Sequence, residues 1–138
     1  MNIAKVANKP KVVCLCGSTR FMDAFFDAGW QETLAGSIVL SVGVCKHAED
    51  HGGEALGLEV AAMLDELHLR KIDLADEVLI LNVRGYVGDS TYRELKYARE
   101  HGKKIRWLEP HNALWDPTGA DSLPTILPRV ETDSEGGS

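Results

Sequence analysis

Four short apolar runs punctuate the chain: residues 11–16 around VVCLC, residues 37–42 (SIVLSV), residues 77–83 (EVLILNV) and residues 104–108 (KIRWL). They are rich in β-branched residues, and their continuous apolar character suits strands covered on both faces, as in a parallel sheet. Helical spacing fills the intervals. Residues 20–34 place Phe21, Phe25, Ala28 and Leu34 among polar positions. Residues 54–72 set Leu56, Val60, Met63, Leu64 and Leu67 at i, i+4, i+7, i+8 and i+11, an apolar stripe of the kind that faces a core, with His68 read as a surface residue. Residues 90–101 form a third helix, closed by the stop signal of Gly102. Strand and helix alternate throughout. The pattern predicts an α/β fold, a flavodoxin-like open parallel sheet of four to five strands flanked by helices, with right-handed crossovers.

The alternation occupies residues 1–110, read as one α/β domain. Residues 111–138 form a proline-punctuated C-terminal extension, in which LPTILPRV (residues 123–130) suits an edge strand or a segment packed on a partner. Its last eight residues, ETDSEGGS being polar and glycine-rich, are expected to be disordered. Between the second strand and the long helix, Gly43–Gly53 reads as a mobile loop.

Composition narrows the possibilities. At 138 residues and 44% hydrophobic, the chain suits a single domain with a substantial core. A net charge of −6 without a basic stripe argues against a nucleic-acid polymer as partner. No window approaches the roughly 18 uninterrupted apolar residues of a membrane span. Three cysteines and no apolar leader predict a reducing, cytoplasmic setting. Two of them, Cys14 and Cys16, alternate along the first strand and so point to one face. The third, Cys45, lies near His47, Asp50 and His51, but this C-x-H-x₃-H spacing fits no common zinc pattern. No metal and no cofactor are expected.

In sheets of this type ligands sit beyond the carboxyl ends of the strands. Two segments there carry chemistry. CGSTR, directly after the first strand, offers Gly17, Ser18, Thr19 and Arg20: small residues that admit a ligand to the backbone, hydroxyls, and a guanidinium for a phosphate or ribose. The plainer reading makes Ser18 or Thr19 a helix cap. GDSTYRELKYARE brings Gly88, Asp89, Ser90, Thr91 and Glu94 to the start of the third helix. Thr91-x-x-Glu94 has the form of a capping box. Beside the core stripe of Thr91, Leu95 and Ala98, Glu94 can also look into a cleft, where the helix N-terminus would keep it ionised as a nucleophile requires. Asp73, at the end of the long helix, sits against the helix dipole unless Arg70 pairs with it.

Taken in order and spacing, CGSTR, KIDLADEVLILN and GDSTYRELKYAREHGKKI resemble the nucleoside 2-deoxyribosyltransferase family, including its nucleotide N-glycoside hydrolase branch, over residues 11–108. The resemblance implies that Glu94 attacks the anomeric carbon and that Asp73 assists departure of the base. It implies that Gly17, Ser18 and Arg20, with Asp89, Ser90 and Thr91, meet the sugar or a 5′-phosphate. It further implies a nucleoside or nucleotide substrate and a homodimer or higher homo-oligomer whose sites are completed by a neighbour. One departure stands out. Many members place a tyrosine two residues before the Cys of the first motif, where it hydrogen-bonds the nucleophile. Here that position is Cys14, so other groups must hold Glu94. The rival readings are an FMN-binding reductase of flavodoxin-like fold and a non-catalytic nucleotide-binding module.

Overall fold

The computed structural model describes residues 5–43 and 57–111. The Cys45–His51 cluster, most of the loop after Gly43, and residues 112–138 with the LPTILPRV segment lie outside the described residues. In chain order the elements are β1 (Val12–Cys16), α1 (Met22–Leu34), β2 (Ile38–Leu40), α2 (Gly57–Leu74), β3 (Glu77–Ile80), α3 (Asp89–Glu100) and β4 (Lys104–Trp107). Short 3₁₀ turns at Thr19–Phe21 and Val83–Gly85 follow β1 and β3.

The four strands make one all-parallel sheet in the order β2-β1-β3-β4, an open flavodoxin-like α/β arrangement. Register sets Cys14 beside both Leu40 and Val78, and Ile80 beside Trp107. Strands β1 and β3 lie at the centre, which explains their unbroken apolar sequences: every residue of β3, and all but the first of β1, is buried. Each face of the sheet packs its own core. Val13, Leu15, Leu79 and Leu81 meet Phe25 and Ala28 of α1. On the opposite face Cys14, Cys16, Val78 and Ile80 meet Ile72 of α2 and Leu95 and Ala98 of α3. Both cysteines of β1 therefore face the two-helix side, as strand alternation predicts.

The chain leaves β1 toward β2 on one side and β3 on the other, so the ends of β1 and β3 border the switch point of the topology. Close approach there requires Gly17. A Cβ on it would lie 2.9 Å from the Leu81 Cβ and 3.3 Å from the Leu81 carbonyl oxygen.

Helix α2 departs from the expected burial. Met63 and Leu64 of the apolar stripe are each 53% exposed, Leu67 is also exposed, and Leu58 reaches 88%. His68, expected at the surface, is buried together with Ile72. Rotation and length supply the reason: the side of α2 that meets the sheet carries His68 and Ile72, which turns Leu67 and Met63 off it. Eighteen residues make a helix of roughly 27 Å, whereas the five residues of β1 span roughly 16 Å. The last two turns of α2 cover the sheet, and its amino-terminal part projects past the carboxyl ends of the strands. Among the described residues no helix is long and apolar enough to cross a membrane.

Candidate active site

Beneath α2 and α3, at the carboxyl end of β1, four side chains converge. The imidazole Nε2 of His68 lies 3.5 Å from the Cys16 sulfur, 3.6 Å from the Cys14 sulfur and 3.9 Å from Oε1 of Glu94. It lies 3.1 Å from the carbonyl oxygen of Leu15. A carbonyl only accepts, so that contact places a proton on Nε2. The Glu94 side chain is 14% exposed and reaches the group from the second turn of α3.

Helix α3 begins earlier than the capping-box reading requires. Its N-cap is Gly88, Asp89–Thr91 form the first turn, and no side chain caps its start. Thr91 is buried in the helix body, so Glu94 caps nothing and projects instead toward α2. The expectation that the helix N-terminus keeps it ionised is also reversed. Burial raises its carboxyl pKa to about 7, against the opposing pull of the His68 charge and the Cys16 thiol.

The neighbouring groups shift with it. Burial disfavours the His68 cation, but the Cys14 sulfur and Glu94 outweigh it, and the pKa rises. A hydrogen bond from the Cys16 thiol, reinforced by His68, lowers Cys14 to about 6 despite burial. Burial and then the charge of Cys14 push Cys16 upward. A thiol pulled downward, an imidazole pushed upward and a carboxyl raised to about 7 thus share one pocket, where their titrations are linked.

Glu94 opens on a groove of about 290 Å³ between α2 and α3, lined also by Asp65, Ser90, Arg93 and Tyr97. Ser90 accepts a hydrogen bond from Arg93, which lies 3.6 Å from Asp65 across the groove. The segment after β1 lies on the other side of the switch point. There the Ser18 hydroxyl accepts from the Arg20 amide, so Ser18 caps the 3₁₀ turn that contains Thr19. The Arg20 guanidinium stacks 4.6 Å from the Tyr86 ring. Tyr86 packs edge-on to Phe21, and a Cβ on Gly88 would meet its hydroxyl at a tight 3.0 Å.

Asp73 is not brought to Glu94. Its carboxylate pairs with Arg70 at 3.0 Å and accepts a hydrogen bond from the Tyr97 hydroxyl at 2.7 Å, more than a helical turn along α2 from His68. The Arg70 partnership removes the misfit with the helix dipole. His68 and Cys16 are the residues that sequence reasoning did not place beside Glu94. Their signal was available only as a pair: the inward alternation of β1 was legible, but the rotation of α2 that buries His68 was not. Comparisons with known protein families, with curated proteins and with solved structures return no match to this chain.

Proposed function

We propose that the protein cleaves or transfers the N-glycosidic bond of a (deoxy)nucleoside or nucleoside 5′-monophosphate, with Glu94 as nucleophile. The observation that carries this reading is the Glu94 carboxylate, held beside His68 at the carboxyl end of β1 and opening on a groove. The sequence resemblance to the deoxyribosyltransferase family supports it and supplies the substrate class.

This placement supports the following chemistry. With its proton passed to the His68 side of the cluster, the carboxylate attacks the anomeric carbon. A C–O bond forms as the C–N bond breaks, and the base leaves with the bonding pair and takes the proton that the His68 cluster received from Glu94. Water, or a second base, then displaces Glu94 from the sugar with net retention. His68 balances the charge of the glutamate in the free site, the task that the family's tyrosine would otherwise share. Asp73, engaged with Arg70 and Tyr97, has no part in this scheme. Arg20, stacked on Tyr86 at the same edge of the sheet, is the candidate contact for a 5′-phosphate.

A homo-oligomer is part of the proposal. The exposed apolar flank of α2 projects over the carboxyl edge, where a neighbouring subunit would cover it and help exclude water. The test is incubation with a panel of nucleosides and monophosphates, followed by chromatography for free base. Wild-type protein should release base, and Glu94→Gln should reduce the rate at least a hundredfold, with circular dichroism confirming that the variant keeps its fold. A Gln variant that keeps its turnover would sink the nucleophile assignment.

A further inference from the structure

The His68 Nε2 proton faces more acceptors than one proton can satisfy. A carbonyl, two sulfurs and a carboxylate oxygen surround it at 3.1, 3.5, 3.6 and 3.9 Å. Cys14, Cys16 and His68 are all buried, and their donor atoms lie within 4.8 Å of one another. These spacings have a metric meaning. Zinc–sulfur bonds of 2.3 Å and zinc–nitrogen bonds near 2.05 Å, set at the tetrahedral angle, give a nitrogen–sulfur edge of roughly 3.5 Å. Both observed edges fall there. The Glu94 carboxylate, 3.9 Å from Nε2, lies outside that 4.8 Å set, so its side chain must swing inward to take the fourth position.

We infer that Cys14, Cys16, His68 and Glu94 form a tetrahedral site for Zn²⁺, in which the metal replaces the shared proton. Both sulfurs bind as thiolates, and the protons displaced from Cys16, from Nε2 and from any Cys14 still protonated go to solvent. The imidazole binds through Nε2 with its remaining proton on Nδ1, and the carboxylate closes the fourth position. Three anions against a dication leave one negative charge, and Lys71, which acts on the Cys14 charge, lies on the same helix as His68. Entry is through the groove on which Glu94 opens. The donor set, two thiolates and an imidazole with one carboxylate, selects zinc over the hard cations magnesium and calcium. A bound ion would occupy the proposed nucleophile, so the same site cannot hold zinc and attack a sugar at once.

The inference needs only the four donors and does not depend on the glycosidase reading. Its test is optical and uses no substrate. The purified full-length chain, freed of metal with a chelator and kept reduced, is titrated with Co²⁺. One equivalent should produce a thiolate-to-cobalt charge-transfer band and the intense visible bands of tetrahedral cobalt, and Zn²⁺ should bleach both. Cys16→Ser and Cys14→Ser should each abolish the charge-transfer band or weaken binding at least a hundredfold, with circular dichroism confirming the fold. Cys45→Ser should change nothing. Glu94→Gln, which keeps the core packing, should weaken binding by about tenfold. Absence of the charge-transfer band from the wild type would overturn the site whatever the variants do. Loss of the band in Cys45→Ser would move it elsewhere, and unchanged affinity in Glu94→Gln would remove the fourth ligand. Base release that stops on adding Zn²⁺ and returns with chelator would join the two proposals. Failure of base release alone leaves the optical result standing.

Discussion

Replacing Asp73 by Asn removes one charge from a contact set made with Arg70 and Tyr97. Both ionic partners are exposed, so the expected loss of stability is under about 1 kcal/mol. The activity measurement is the informative one. With Asp73 turned away from Glu94, Asp73→Asn should leave kcat/KM within a few-fold of wild type, equally for substrates with good and poor leaving groups. A loss confined to poor leaving groups would return Asp73 to the site as the group that assists departure of the base. The same contrast shows what single residues reveal in sequence. Glu94 is conspicuous because a carboxylate beside a core stripe has few reasons to be there. His68 looked like any polar residue of an amphipathic helix, because its burial depends on how α2 is rotated against the sheet.

At the scale of elements, the amino-terminal edge of the sheet is bound together by charge. Glu77 opens β3 almost fully buried and is met by Arg106 of β4 at 2.8 Å and by Lys11 at 3.2 Å, while Arg106 also holds Glu32 of α1 at 2.7 Å. Burial opposes the Glu77 charge, but the hydrogen bonds from Arg106 and Lys11 outweigh it and hold its pKa below the ordinary value of 4.5. A folded value below the unfolded one means that ionised Glu77 adds stability above the unfolded pKa. That increment is lost as pH falls through the folded value. Urea midpoints of wild type and Glu77→Gln should therefore differ at pH 7 and converge below about pH 4. A constant gap down to pH 3 would show that Glu77 contributes through packing alone. Central strands such as β1 and β3 were legible because burial on both faces leaves an uninterrupted apolar run. Helix faces were less so. The stripe of Met63, Leu64 and Leu67 is real, but periodicity identifies an apolar face without naming its partner. Likewise Thr91-x-x-Glu94 has capping-box spacing, yet three further residues, Asp89–Thr91, join the helix and turn Thr91 into core.

At the scale of the molecule, those same residues bear on assembly. Met63, Leu64 and Leu67 give α2 an exposed apolar flank on the part nearest the carboxyl edge of the sheet. Such a flank favours burial against a second copy, and the sites it overhangs would then be shared between subunits. Light scattering at micromolar concentration should give a mass at least twice the 15.1 kDa of one chain. Met63→Glu combined with Leu64→Lys should shift it toward monomer and lower activity together. A wild-type monomer with full activity would defeat the shared-site arrangement and leave the chemistry within one chain.

The proposed function rests on a bond between Glu94 and a sugar, and that bond can be weighed. A nucleoside bearing fluorine at C2 of its sugar destabilises the oxocarbenium-like states on both sides of the intermediate, so the glycosyl-enzyme should accumulate. After acid quench and proteolysis, mass spectrometry should find one sugar residue on the peptide that contains Glu94, formed in step with release of the base. Release of base with that peptide unmodified, or a sugar attached elsewhere, would contradict the account.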